Sequence, residues 1–367
     1  MLSLIPYAFH LEWLFSGKQA FGTLQTVKAL QASVFFLLVV FGLSNSLMIE
    51  RTAYYYGVAV TISSIVLWFI AFRKGYIQWH YPSLHSIRNI LSQSLQLGVG
   101  WLATQVIILF PPLVFAYFYS EEFVGLFGAA LRIVLLVMII DRVLVQILLP
   151  NLSRMWSQSH EMIGDVLSNG FRIHSLIGLY GSLGILYLAP YLISGIYGSE
   201  YHESIPLLQM LSILIFFTFQ NSIFATSLVA MDSESAYLKA NVLGGSIGAV
   251  ILIVAAFLFT KESQIPVLLI GLVEGIIMGF SYYYFNKAQK KNSLPNLHAK
   301  LTSLYLSFAI GYGVYIGLLY VGSWSHELIS MISLTLTLAS TIIHNYLRRS
   351  DFTLIQKFMR YQPPEDE

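Results

Sequence analysis

Apolar stretches of about twenty residues recur along this chain, separated by short polar connections, and no period-two alternation competes with them. A hydrocarbon core about 30 Å thick takes about 20 mostly apolar residues to cross. On that criterion the sequence predicts ten spans, near residues 29–49, 53–72, 95–119, 123–150, 173–197, 206–230, 240–259, 264–286, 302–322 and 328–347. In lipid every backbone polar group must be bonded within its own segment, so the spans are helices; barrel strands would instead alternate apolar and polar residues. The fold class is therefore all-α, a polytopic membrane helix bundle. The opening from Met1 to Phe15 is apolar but shorter than a span, with no basic residues before it and no small-residue cleavage site. It reads as an N-terminal half-helix, the second half of a spanning helix, and not as a signal peptide.

Composition agrees with the pattern. Of the 367 residues, 56% are hydrophobic and 10% charged, against the about 25% charged of a soluble domain, and the mean hydropathy is +0.70. So little polar surface cannot cover a globular protein in water. The absence of cysteine excludes a disulfide framework, a thiolate metal site and a cysteine nucleophile. A net charge of +2 with no dense basic run leaves no footprint for nucleic acid.

Loop charge sets the orientation, because lysine and arginine stay on the cytoplasmic side. One set of connections holds Lys18, Lys28, Arg73, Lys74, Arg88, Arg154, Arg172, Lys239, Lys287, Lys290, Lys291, Lys300, Arg348, Arg349, Lys357 and Arg360; the other holds Arg51 and Lys261. The bias predicts a cytoplasmic C-terminus. The outer connections are short and carry Glu121, Glu122, Glu200 and Glu203. None is long enough for a soluble catalytic domain. The longest inner segments, roughly 73–94 and 151–172, mix basic and polar residues with Trp79, Tyr81, Met155 and Trp156, and read as interfacial helices.

Ionisable groups inside a span are costly, about 2.5–3.5 kcal/mol at a helix centre, and are functional candidates by default. Four stand out: Arg132, Asp141, Arg142 and Glu274. A cation in a water-filled cavity suits a phosphate or pyrophosphate; a structural ion pair or a snorkelling side chain is the plain alternative. Arg132 and Asp141 are nine residues apart and point to opposite sides of one helix, so they do not pair with each other. Glu274 is either a protonated, hydrogen-bonded carboxyl or a site that couples transport to a proton or cation. Glycines at spacing four (Gly271, Gly275 and Gly279; Gly244 and Gly248; Gly313 and Gly317) read as close-packing stripes. Pro111 and Pro112 fall in the middle of the third span and mark a helix break. His174 and His344 are read as anchors near inner helix ends. No HExxH, paired histidines or glycine-rich phosphate loop is present, so neither metal nor cofactor is expected.

Four stretches taken in order carry a resemblance. Trp13-Leu14-Phe15-Ser16-Gly17 precedes the first full span, and Ile196-Tyr197-Gly198-Ser199-Glu200-Tyr201 follows the fifth. Gly125-Leu126-Phe127-Gly128-Ala129-Ala130-Leu131-Arg132 opens the fourth span and Leu149-Pro150-Asn151-Leu152-Ser153-Arg154 closes it. Their joint order resembles the polysaccharide-transporter family of Wzx-type oligosaccharide (O-antigen) flippases, within the superfamily of multidrug, oligosaccharidyl-lipid and polysaccharide exporters. The resemblance implies two six-helix lobes, often with two extra C-terminal helices, around a central cavity worked by alternating access. Family members place about three and a half helices before the Trp13–Gly17 motif, so the expectation here is an incomplete two-lobe MATE-like fold. Residues 1–94 would be the remnant of the first lobe, 95–286 a second lobe of six spans, and 287–367 two extra spans with a cytoplasmic tail.

The function so implied is the flipping of undecaprenyl-pyrophosphate-linked oligosaccharide repeat units across the bacterial plasma membrane for surface polysaccharide biosynthesis. Arg132 and, more weakly, Arg142 are then candidates for the anionic headgroup, with Asp141 and Glu274 as coupling candidates. The expected partners are lipid-linked oligosaccharide and membrane lipids, together with other polysaccharide assembly proteins or a polypeptide supplying the missing helices. Three alternatives stay open: a cation-coupled multidrug exporter, a membrane-embedded sugar acyltransferase or polymerase, and an inactive truncated remnant. The enzyme reading needs a general base beside a nucleophile, and no histidine pairs with an acid in the sequence pattern.

Overall fold

A computed structural model describes residues 4–42, 51–77, 83–158, 160–259, 264–291, 298–321 and 325–343. All regular structure among them is helical: α1 (Leu4–Ala8), α2 (Glu12–Gly17), α3 (Phe21–Gly42), α4 (Arg51–Arg73), α5 (Leu84–Phe118), α6 (Glu121–Gln158), α7 (His160–Tyr197), a 3-10 turn (Ser199–Tyr201), α8 (Ser204–Ala230), α9 (Glu234–Leu258), α10 (Ile265–Lys291), α11 (His298–Val321) and α12 (His326–Ile343). Eight of these are long and apolar enough to cross a membrane, and α5 makes a ninth if its two bent halves are one span. The expected span at 302–322 falls on α11, whose apolar stretch is Leu304–Leu319.

Two boundaries differ from the hydropathy reading. Helix α3 starts at Phe21, not at residue 29, which puts Lys28 inside a helix and not in a loop. Helices α6 and α7 have 38 residues each, about 57 Å at 1.5 Å per residue, so they run well past a 30 Å core. They absorb most of the segment 151–172, and Arg172, counted above as a loop cation, is buried within α7. Trp79, Tyr81 and His344 lie outside the described residues.

The chain divides into two compact units, one through Ile87 and one from Arg88. In the first, Leu11 and Phe15 pack with Leu24 and Val27 of α3 and with Leu67 and Ala71 of α4. The opening segment is not one half-helix: α1 and α2 are separated at His10, where Phe9 N–H and His10 N–H turn back to the Pro6 and Tyr7 carbonyls. The Trp68 indole N–H holds the Phe9 carbonyl at 2.8 Å, satisfying a backbone group that the break leaves without a helical partner.

Three helices close through paired 6→1 and 5→2 bonds around a left-handed residue. The bonds are Ala20 N to Phe15 O with Gln19 N to Ser16 O, Tyr76 N to Ala71 O with Gly75 N to Phe72 O, and Ser233 N to Leu228 O with Asp232 N to Val229 O. The left-handed positions are Gln19 (φ 54°), Gly75 (φ 65°) and Asp232 (φ 50°).

In the second unit α8 is the central helix, packed by α6, α7 and α10, with Leu211, Ile215 and Phe219 fully buried among Phe127, Val134 and Ile277. Helix α9 lies very close to α10. A Cβ on Gly248 would sit 2.2 Å from Val273 Cγ1, and one on Gly244 2.8 Å from Ile277 Cα. Gly271 and Gly275 meet α8 at Ile213 and Phe217. The stripe reading fails at Gly279, Gly313 and Gly317, where an added Cβ would meet nothing within 4 Å among the described residues; one on Gly311 would sit 2.8 Å from Thr337 Oγ1. Helices α11 and α12 pack on each other and on α7.

Candidate transport cavity

The polar triplet Gln220-Asn221-Ser222 interrupts the apolar run of α8 and brings side-chain donors to the centre of the bundle. Around it lies a cavity of about 490 Å³. Helix α5 lends Trp101 and Gln105, α6 lends Asp141 and Arg142, α8 Asn221 and Ser222, α9 Tyr237, and α10 Glu274.

Both acids are buried, each 6% exposed. The Ser222 hydroxyl donates to Asp141 Oδ2 at 2.6 Å, and the Asn221 amide donates to Glu274 Oε1 at 2.9 Å. Adjacent residues of α8 therefore hold one acid from α6 and one from α10. Behind Asp141 stands His174 of α7, 3% exposed, its Nε2 3.9 Å from Asp141 Oδ1. Its Nδ1 faces the Gly170 carbonyl at 3.2 Å. A carbonyl only accepts, so Nδ1 carries the hydrogen and Nε2 presents a lone pair. Asp141 Oδ1, His174 Nε2 and Asn221 Oδ1 are buried with no hydrogen-bond partner among the described residues. Among those residues no three His, Asp or Glu side chains gather as for a metal ion.

The structure brings together three of the four intramembrane candidates. Asp141, Arg142 and Glu274 line one cavity, and Arg132, exposed on α6, does not line it. Helical geometry accounts for the separation, since nine residues place Arg132 on the side of α6 opposite Asp141. Pro111 and Pro112 remain within α5, whose axis turns by 43° between Gln105 and Ile108. That is one turn before the prolines, where the missing N–H groups would have bonded. Pro111 itself packs beside Gly248 and Val273. His174 is a buried member of the site and not an interfacial anchor. Its depth escaped the hydropathy reading because α7 begins at residue 160, well before the expected start at 173.

A bundle of helices long and apolar enough to cross a membrane, around a cavity that holds two buried acids, is that of a polytopic membrane protein. Residues 2–156 match a family model described as "Polysaccharide biosynthesis protein". No curated protein matches the chain. Among solved structures, it resembles MATE in the straight conformation at 15% identity and TM-score 0.60, and MATE in complex with MaL6 at 16% and 0.60; each match covers 73% of this chain and 62% of that one. It also resembles the lipid II flippase MurJ in an inward closed conformation at 14% identity and TM-score 0.57, over 94% of this chain and 72% of that one. The chain thus spans about 62% of the length of the MATE chains it matches. The fold is that of MATE and MurJ, and the family match is confined to residues 2–156.

Proposed function

We propose that this chain is a membrane transporter that flips undecaprenyl-pyrophosphate-linked oligosaccharide units from the inner to the outer leaflet of a bacterial plasma membrane by alternating access, with its C-terminus in the cytoplasm. The observation that carries the reading is the cavity lined by Asp141, Arg142 and Glu274 in a chain whose residues 2–156 match a polysaccharide-biosynthesis family. Asp141 and Glu274 are the coupling groups: each is held by one α8 donor, and Asp141 Oδ1 has no hydrogen-bond partner among the described residues. A proton or monovalent cation bound there would change the charge of the bundle core, and with it the balance between two packings of the helices. Arg142, beside Asp141 on the cavity wall, is the cation for a pyrophosphate headgroup; Arg132 takes a secondary place because it lies off the cavity.

The test is in the native host. The locus is deleted, this chain alone is returned, and lipid-linked oligosaccharide is quantified on the two faces of the plasma membrane. Recovery of outer-leaflet repeat units is the expected result. An intermediate trapped inside with the chain inserted and folded would overturn the reading. The acid pair also suits a cation-coupled exporter of amphipathic drugs. Drug sensitivity of the deletion strain with normal surface glycan would favour that reading instead.

A further inference from the structure

A second cavity, of about 290 Å³, lies wholly inside the first unit. Tyr7 and Tyr56 give it aromatic sides, and His10, Glu12, Lys28 and Gln31 give it a polar one. It is a built site. His10 occupies the break between α1 and α2, is 8% exposed, and stacks on Tyr7 with ring centroids 5.8 Å apart and planes 18° from parallel. Its Nε2 is 3.5 Å from Ser63 Oγ of α4. Lys28 of α3 bonds Glu12 Oε1, and Gln31 accepts from Ser63 at 3.0 Å through its own oxygen, which leaves its amide N–H groups as donors.

One geometric detail selects the ligand. His10 Nδ1 has no hydrogen-bond partner among the described residues, and it stands 4.0 Å from Glu12 Oε2. That is too far for a direct bond. The Ser63 hydroxyl gives its one hydrogen to Gln31, so His10 Nε2–H faces Ser63 Oγ and Nδ1 presents a lone pair. Two neighbouring donors, one to Nδ1 and one to the carboxylate, fill the gap, and adjacent hydroxyls of one ring supply both. An anion would meet the Glu12 charge, and a cation the Lys28 charge. Lys28 and Gln31 supply further donors for neighbouring hydroxyls, while the tyrosine faces suit the apolar C–H face of a ring. The volume is at the lower end for a ligand pocket, enough for one ring and not for a chain of them.

We infer that this cavity binds a single neutral sugar ring. The inference deepens the proposed function by naming where one sugar of the cargo is held, and rests on that reading only for the biological source of the sugar. The recognition chemistry comes from the cavity.

The experiment uses the purified full chain in a detergent without sugar headgroups. Saturation-transfer NMR is recorded with the methyl glycosides of glucose, galactose and N-acetylglucosamine, with methyl glucuronide and inorganic phosphate as anionic probes. At least one neutral glycoside is expected to receive saturation, with its affinity reduced tenfold or more in both Glu12→Gln and Tyr56→Leu and unchanged in Gly317→Ala, where the added methyl meets open space. Tyr56→Leu keeps the Glu12–Lys28 pair, so it serves where Glu12→Gln loses its fold; thermal unfolding of each variant identifies that case. The inference is overturned if no neutral glycoside receives saturation, if the signal survives both variants, or if glucuronide or phosphate binds as well as the neutral rings. The leaflet assay is separate. A chain that flips its cargo but binds no glycoside refutes only this cavity's role, and one that binds glycoside while leaving the intermediate inside refutes only the transport reading.

Discussion

His174 Nε2 and Asp141 Oδ1 face each other across 3.9 Å, too far for a direct hydrogen bond, and neither has another partner among the described residues. The His174 ring is fixed by its Nδ1–H bond to the Gly170 carbonyl, so it cannot turn a donor toward the acid without breaking that bond. Two buried acceptors at this separation are satisfied together only by something that enters: a proton on the carboxyl, a water, or a small cation. A proton or a small cation there would change the charge inside the bundle, whereas a water would not. Glu274 shares the cavity, and Asn221 and Ser222, next to each other on α8, tie the two acids to one helix.

Replacing Asp141 by Asn supplies an amide N–H that can reach His174 Nε2 while removing the ionisable group. The variant is expected to fold and insert like the parent but to lower the outer-leaflet pool of lipid-linked oligosaccharide at least tenfold. Glu274→Gln keeps an oxygen for the Asn221 amide and should behave alike. Parental transport in both variants would remove these acids from the mechanism.

Arg142 borders the cavity and Arg132 lies off it, so the two arginines separate in a direct comparison. Arg142→Gln is expected to cut export several-fold, with Arg132→Gln having the smaller effect. Quantifying surface glycan in cells carrying equal amounts of each variant checks the order, and the reverse order would move the headgroup site to the exposed side of α6.

How far the sequence foretold this site depends on what each residue's signal was. A charge in an apolar run is visible without a structure, so Asp141, Arg142 and Glu274 were found; which of the four charges converge was not, because that depends on how α6, α8 and α10 rotate against one another. Asn221 and Ser222 sit in a legible interruption, Gln220-Asn221-Ser222, but uncharged polar residues are common in membrane helices and carry little weight alone. The cluster of His10, Glu12 and Lys28 is not legible in the sequence: α3 begins at Phe21, eight residues before the apolar run at residue 29, so Lys28 reads as a loop cation. The all-helical class and the spans were legible because twenty-residue apolar runs have no other use. The glycine stripes were only half legible, since spacing four fits Gly244 and Gly248 as well as Gly313 and Gly317, and only packing distinguishes them.

Gln19 and Asp232 hold the left-handed position that closes a helix, where a side chain costs about 1 kcal/mol relative to glycine, less for Asp. Gln19→Gly and Asp232→Gly are both expected to raise the melting temperature in detergent, Gln19→Gly by more. Gly75, already optimal at the same position of its motif, should lose stability as Gly75→Ala. A lowered melting temperature for Gln19→Gly would contradict the assigned backbone.

Gly248 has no room for a side chain, because Val273 Cγ1 occupies the place of its Cβ. Gly248→Val should destabilise the second unit by about 1–3 kcal/mol through overpacking, or force α9 away from α10. Gly317→Ala adds a methyl into open space and should be close to neutral. Equal losses for the two, measured by thermal unfolding, would show that α9 and α10 are not packed as found.

Side-chain hydrogen bonds fasten α11 and α12 to α7. The Tyr312 hydroxyl of α11 reaches Ser182 of α7 at 2.5 Å and Ser212 of α8 at 2.6 Å, and Tyr187 of α7 reaches Ser333 of α12 at 2.6 Å. Farther along, His326 Nε2 meets the Tyr187 carbonyl at 2.8 Å while its Nδ1 faces the Tyr315 hydroxyl at 3.1 Å. Interhelical bonds of this kind are worth about 0.6 kcal/mol each on average in a membrane protein, too little for one to matter and enough for several to hold two helices in register. Tyr312→Phe or Tyr187→Phe alone should therefore lower stability only slightly, and the double variant by roughly the sum, because their hydroxyls have different partners. Cross-linking of α12 to α7 through introduced cysteines should slow markedly only in the parent with Gly311→Leu, where the added side chain meets Thr337 and Leu183 and drives the helices apart. If that substitution leaves the cross-linking rate unchanged, the two C-terminal helices are not fixed on α7 through this contact.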